Sequence, residues 1–410
     1  MMMFLYSVLF PFYVLGICLA APFSSKVRSL LAGHMNIFSV VRGKVEAGRK
    51  YLWFHASSLG EFEAGRPLLE NLRQNHPEYG IILTFFSPSG YDVCKNYKPA
   101  DIVCYMPFDF GFSIRRFLNL VPVSKAFFIK YEFWPKTMSI LADRGIEAYS
   151  ISAAFRKNQL FFRKAGRFYL DTLRRFNHIF VQDEVSGKLL EDAGISCVTV
   201  TGDTRVDRVI QIASQAADLP LVEKFVSGRK VCVVGSSWPE DESVYIPYFI
   251  GNPQWKLIIA PHVLSKQHLD GIRNMLGDAK CVFYSSATGT DVADADVLVI
   301  DCFGLLSSIY RYSDVAFIGG GYGEGIHNVL EAAVYAVPTM FGPNHGKFKE
   351  ASDLISAGGA FEIADRNSFR LLMDKFLSDP NALEHAGSVS GDYVFSKAGT
   401  TGRICSCIGL

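Results

Sequence analysis

Short apolar runs alternate with longer amphipathic ones along most of this chain, and no other feature limits its fold as strongly. Residues 51–56, 80–86, 101–106, 125–131, 146–152 and 178–182 read as strands of a first series, with helical patterns such as 62–75 and 88–95 between them. Such alternation implies βαβ units and a parallel sheet covered on both faces. The alternation breaks off at Leu219-Pro220 and restarts with strand-like runs at 230–235, 256–260, 280–284, 296–300 and 314–318. A chain of 410 residues is too long for one ordinary core, so two α/β domains are expected, with a cleft between them as the default binding site. The first strand is not followed by G-x-G-x-x-G, which argues against a dinucleotide fold of the dehydrogenase type.

The first 25 residues contain no charged side chain, and the apolar run through Phe23 is long enough to cross a bilayer. Lys26, Arg28, Arg42 and Lys44 follow it and no basic residue precedes it, which places the rest of the chain in the cytoplasm. A cleaved signal peptide would need a basic leading region, which is missing, although Cys18-Leu19-Ala20 resembles a cleavage site. The reading is an uncleaved anchor in the inner (cytoplasmic) membrane, kinked by Pro11 or lying in the interface. The domain expectation is therefore an anchor over 1–25, one α/β domain over 26–217 and a second over 218–410. Residues 26–205 hold 25 basic and 17 acidic side chains, so a net charge of +1 conceals a basic first half and an acidic remainder. That excess suits an anionic partner or a membrane face and is too sparse for nucleic acid. Nine scattered cysteines fit a reducing compartment, with neither a disulfide nor a structural metal expected.

Three stretches carry candidate chemistry. After the first strand, Ser58 stands at a helix N-cap position and Glu61 three residues later, where strand C-termini and helix N-termini meet a ligand. The same spacing is a capping box, so both readings of Glu61 stand at this point. Lys130-Tyr131-Glu132-Phe133-Trp134-Pro135 sets a second carboxylate between a strand and a helix opened by proline. Arg156, Lys157, Arg163, Lys164 and Arg167 interleave with Phe155, Phe161 and Phe162, as a lipid-headgroup surface or an exposed helix face would. In the second half, Gly319, Gly320 and Gly321 end a strand and Gly323 and Gly325 follow. His327-Asn328 then opens a helix that carries Glu331. Glycines admit a phosphate to backbone N–H groups, the helix N-terminus favours its charge, and Glu331 is placed to accept ribose hydroxyls. Lys347 and Lys349 are candidates to assist a leaving group, against the plainer reading of solvated lysines.

These blocks together resemble the bacterial Kdo (3-deoxy-D-manno-oct-2-ulosonic acid) transferases. The resemblance runs over nearly the whole chain. It rests on His55-Ala-Ser-Ser58-Leu-Gly-Glu61, Tyr131-Glu132-Phe-Trp-Pro, Thr201-Gly-Asp-Thr-Arg205-Val-Asp207 and Gly325-Ile-His327-Asn328-Val-Leu-Glu331. It implies a GT-B fold with acceptor binding assigned to the first α/β domain and CMP-sugar binding to the second, an inverting transfer of Kdo from CMP-Kdo to a lipid A precursor, and no metal or other cofactor. By motif, Glu61 is the implied general base and Glu132 a second functional carboxylate. His327, Asn328 and Glu331 are implied to hold the CMP, with the backbone of Gly319, Gly320 and Gly321 near its phosphate. Ser58, Arg205 and Lys349 complete the expected substrate-binding set. The implied partners are CMP-Kdo, the lipid A precursor and the inner leaflet. The chain departs from the family pattern where Ala260-Pro261-His262 lacks an arginine, at Trp238 in place of a frequent histidine, and at Ala332 in place of proline. Two other classes fit the same outline: another GT-B nucleotide-sugar enzyme (a UDP-GlcNAc transferase or epimerase), and a periplasmic binding protein whose N-terminus is cleaved.

Overall fold

The computed structural model describes residues 2–163 and 166–410. Residues up to Arg208, together with Gly399–Leu410, form one compact unit, and Val209–Ala398 form a second. In the first unit the strands are β1 (Tyr51–Ala56), β2 (Gly80–Phe85), β3 (Ile102–Tyr105), β4 (Val123–Ile129), β5 (Glu147–Ala153), β6 (His178–Val181) and β7 (Val198–Val200). The second unit contains β8 (Lys230–Ser237), β9 (Trp255–Pro261), β10 (Cys281–Phe283), β11 (Val297–Val299), β12 (Val315–Ile318), β13 (Thr339–Phe341) and β14 (Ala360–Glu362). The sheet orders are β3-β2-β1-β4-β5-β6-β7 and β10-β11-β9-β8-β12-β13-β14, and the strand pairs are parallel. The first strand of each unit therefore lies inside its sheet, flanked on both sides. That is why 51–56 reads as an unbroken apolar run: every residue of β1 is buried.

The N-terminal helix α1 (Met2–Ala20) is apolar on all sides. Over the window Tyr6–Phe23 its mean hydropathy is 1.8 and only 11% of the residues are buried, so it is long and apolar enough to cross a membrane. Helix α2 (Ser25–Lys44) follows, capped by the Ser24 hydroxyl, which accepts from Val27 N at 3.4 Å. It buries His34, Ile37 and Val41 and packs on β3. No helix is read there from the sequence, because that narrow stripe is interrupted by serine, glycine and charge.

The chain divides differently from the expected 26–217 and 218–410. The first unit ends inside the helix Thr204–Ser214, and the C-terminal helix Thr400–Ile408 packs on the first unit instead of completing the second. Local contacts explain this. Asp207 accepts from Gly399 N at 2.7 Å and Thr401 N at 2.5 Å, and Thr400 Oγ1 donates to Thr201 O at 2.9 Å. Ile404 and Ile408 then enter the core cluster that holds Leu52, Phe62, Leu68 and Leu72.

Candidate active site

In the first unit, β1 runs through Ser57 and Ser58 into α3 (Leu59–Asn75). Glu61 turns back across the helix start, and its Oε2 accepts from Ser57 N at 2.8 Å and Ser58 N at 3.1 Å. Its Oε1 takes no hydrogen bond from any described residue. Capping and catalysis are thus not exclusive: one carboxylate oxygen holds the turn and the other remains available to a proton. The helix N-terminus does not leave Glu61 a weak base. Burial, then the nearby charge of Glu132, raise its pKa against the opposing Ser57 N–H, His55 and Lys130.

Glu132 follows β4 after a sharp change of direction at Lys130, whose φ of 61° is left-handed and sparsely populated outside glycine. The turn places Glu132 only 7% exposed, with its Oε2 accepting from Trp134 Nε1 at 2.8 Å and lying 3.0 Å from His55 Nε2. His55 is fully buried on β1, in register with Thr84 on β2 and Phe128 on β4. Its Nδ1 lies 3.0 Å from Thr84 Oγ1 and 3.1 Å from Thr84 O. Trp53 Nε1 donates to the same Thr84 hydroxyl at 2.8 Å. The Thr84 hydroxyl gives its own proton to Phe54 O at 3.2 Å and Thr84 O can only accept, so His55 Nδ1 is the donor to Thr84. A buried chain Trp53–Thr84–His55–Glu132–Trp134 therefore fixes the second carboxylate. The sequence motif contains His55, but its partner lies on a strand that only the sheet order brings alongside.

Arg205 is committed to Asp203, with Nε at 2.8 Å and an Nη at 2.6 Å. Burial alone would raise the Asp203 pKa, but the Arg205 charge and hydrogen bonds, helped by Lys130, outweigh it and hold the carboxyl low. Arg205, Arg156 and Glu61 all act electrostatically on Tyr131, so the basic groups gather around the Glu61 turn. In the basic, aromatic-interleaved stretch, Phe155 is core, stacked on Phe133 at 5.7 Å, and Lys164 lies outside the described residues.

In the second unit, Gly319 and Gly321 are required by backbone proximity. A Cβ on Gly319 would stand 2.3 Å from Ser236 O, and one on Gly321 2.4 Å from Gly342 N. The Gly320 N–H is already given to Asp241 Oδ2 at 2.8 Å. The helix opened by His327 and Asn328 is a single turn, Leu330–Ala333, too short for an appreciable dipole. Asn328 instead orients its neighbours: Oδ1 accepts from Leu330 N at 3.2 Å and Nδ2 donates to Glu331 Oε1 at 3.0 Å. His327 packs against His262 with ring centroids 4.5 Å apart, and His262 stacks on Trp238 at 4.8 Å. Burial, with the His262 charge, lowers the His327 pKa to about 4, so it is a neutral ring at physiological pH. Its Nε2 accepts from Trp238 Nε1 at 3.5 Å, which leaves Nδ1 as the nitrogen that carries the proton. Lys349 pairs with Asp353 one turn along the helix Lys349–Ala357, and its side chain is 56% exposed.

Two parallel seven-stranded α/β units make this a GT-B fold. The UDP-GlcNAc 2-epimerase from Neisseria meningitidis bound to UDP-GlcNAc aligns with a TM-score of 0.62 at 15% identity, over 87% of this chain and 98% of that one. MurG from Acinetobacter baumannii aligns with a TM-score of 0.55 at 12% identity, over 88% and 99%. At such identities the likeness shows the fold. Residues 34–208 match the family model for 3-deoxy-D-manno-octulosonic-acid transferase (kdotransferase). Enzymes of that name from Rickettsia felis and Haemophilus influenzae are 25% and 24% identical. The alignments cover 82% and 86% of this chain, and 73% and 85% of theirs. The first half of the chain matches the Kdo transferase model and most of its length is similar to enzymes of that name, which makes it a glycosyltransferase and sets aside the binding-protein alternative.

Proposed function

We propose that this enzyme moves Kdo from CMP-Kdo to the primary hydroxyl of the non-reducing glucosamine of a lipid A precursor, with inversion, on the cytoplasmic side of the inner membrane. The reading is carried by Glu61, a carboxylate with one oxygen locked by two backbone N–H groups and the other unengaged, its proton affinity raised by burial and Glu132. Glu61 Oε1 takes the hydroxyl proton as the acceptor oxygen bonds to the Kdo anomeric carbon. The bond from that carbon to the CMP phosphate oxygen breaks, and its electron pair leaves with CMP. Glu132, positioned by His55 and Trp134, keeps Glu61 a competent base by its adjacent charge. The second unit holds the donor: Glu331, oriented by Asn328, accepts ribose hydroxyls, and the neutral His327 offers Nδ1–H as a donor. No metal or other cofactor takes part. The basic excess of the first half suits an acceptor that bears phosphates.

The test is transfer from CMP-Kdo to a tetraacylated lipid A precursor by wild type and Glu61→Gln, with CMP affinity measured alongside. Loss of a positioned general base lowers kcat by about 100- to 10,000-fold, and CMP affinity stays the same. Unimpaired transfer by the variant removes Glu61 as base, and no transfer by wild type to any such acceptor removes the function.

A further inference from the structure

Helix α1 is more than a tether. Tyr6 OH donates to Asp109 Oδ2 at 2.8 Å, and Asp109 is 2% exposed. The same carboxylate accepts from Lys136 N at 3.0 Å, Thr137 N at 2.7 Å and Thr137 Oγ1 at 2.6 Å, so it also caps the helix that follows Trp134. One turn along α1, Phe10 is 8% exposed and meets Phe110 edge-on at 5.3 Å and Trp134 at 6.3 Å. Tyr6, Phe10 and Tyr13 lie at helical spacing on one face and form one wall of a cavity of about 530 Å³ within the first unit. The rest of the lining is largely aromatic, including Trp134 and Phe161, and also contains Glu132 and Ser57. Elsewhere around α1, Leu9, Phe12 and Leu19 are each more than half accessible, as on a helix seated in lipid.

From this geometry we infer that the cavity takes an acyl chain of the acceptor lipid itself, so that α1 is part of the acceptor site. An apolar wall that continues onto a lipid-seated helix lets a chain pass from bilayer to cavity without crossing water. Because Glu132 and Ser57, whose N–H binds Glu61, line the same cavity, the chain's sugar then lies beside the two carboxylates. The volume lies within the range of specific small-molecule sites. The inference rests on the acceptor being an acylated sugar, as proposed above.

Two measurements on the full-length protein in detergent separate its failure from failure of that proposal. The first compares kcat/KM for a tetraacylated precursor with that for the same phosphorylated disaccharide stripped of its acyl chains. Tyr13→Ala, at a half-exposed position that does not support docking of the helix, is expected to lower the acylated-to-deacylated ratio about tenfold, or 1.4 kcal/mol. An unchanged ratio overturns the inference while leaving Kdo transfer intact. The second needs no turnover: acceptor with dibrominated acyl chains is added and indole fluorescence is followed. Strong quenching in wild type that Trp134→Phe removes supports an acyl chain in the cavity. Absence of quenching, or equal quenching by a dibrominated phospholipid, overturns it, the latter because a bystander membrane lipid is then the occupant.

Discussion

Asp241→Asn is the substitution whose effect follows most directly from the structure. Asp241 lies in the first turn of the helix Pro239–Ile250, 1% exposed. Its Oδ2 accepts from Trp238 N at 2.9 Å and Gly320 N at 2.8 Å, so it ties the glycine loop to the end of β8. Its Oδ1 is buried without a hydrogen-bond partner among the described residues. Burial outweighs the two N–H groups and raises the pKa from 3.8 to about 6. An acid whose folded pKa is raised adds stability below its unfolded pKa and loses it as pH climbs through the folded one. A rise of that size corresponds to about 3 kcal/mol. Asparagine keeps an oxygen for Gly320 N–H but does not titrate. Urea unfolding of wild type and variant, followed by the fluorescence of the buried Trp255, is expected to show wild-type stability falling relative to the variant by about 3 kcal/mol between about pH 4 and 6, then running level. Glu242, whose proton affinity Asp241 also raises, shifts the comparison in the same sense. A stability difference that is flat across this range refutes the reasoning.

Three further outcomes follow. His55→Asn removes the ring that meets Glu132 Oε2 at 3.0 Å, a charge-assisted hydrogen bond worth about 1.5–3 kcal/mol; a lower Tm and a displaced pH–rate profile are expected, and an unmoved profile reduces His55 to a packing role. Gly321→Ala forces a Cβ to within 2.4 Å of Gly342 N, so CMP affinity and Tm should fall together, as calorimetry can check. Ile404→Ala empties a fully buried position in the first unit's core and should cost about 2–5 kcal/mol in chemical denaturation.

What the sequence made legible were the features set by neighbours along the chain. The apolar run at 51–56 and the spacing of Ser58 and Glu61 declare a strand, a turn and a helix, and those are the elements found. The two alternating series foretold two parallel sheets for the same reason, since period and length are local properties. The balance of forces on Glu61 was not legible, because it depends on Glu132, distant in sequence and close only because β1 pairs with β4. The His55–Glu132 contact was hidden in the same way. The glycines after β12 were readable as a place of close approach, but what approaches Gly319 and Gly321 is other backbone, which no local pattern records. Lys349 beside the glycine-rich loop was legible as a charge, and its pairing with Asp353 follows from the helical spacing of the two residues.

The return of the C-terminal helix to the first unit has a consequence for synthesis. Ile404 and Ile408 fill a core that otherwise comes from the first half of the chain, and Asp207 waits on the backbone of Gly399 and Thr401. During translation the first unit's strands emerge first and stay without that packing until the whole second unit has left the ribosome. The unit that is encoded first is the one finished last. While it waits, the apolar side chains that Ile404 and Ile408 will cover, Leu68 and Leu72 among their core cluster, lack that packing.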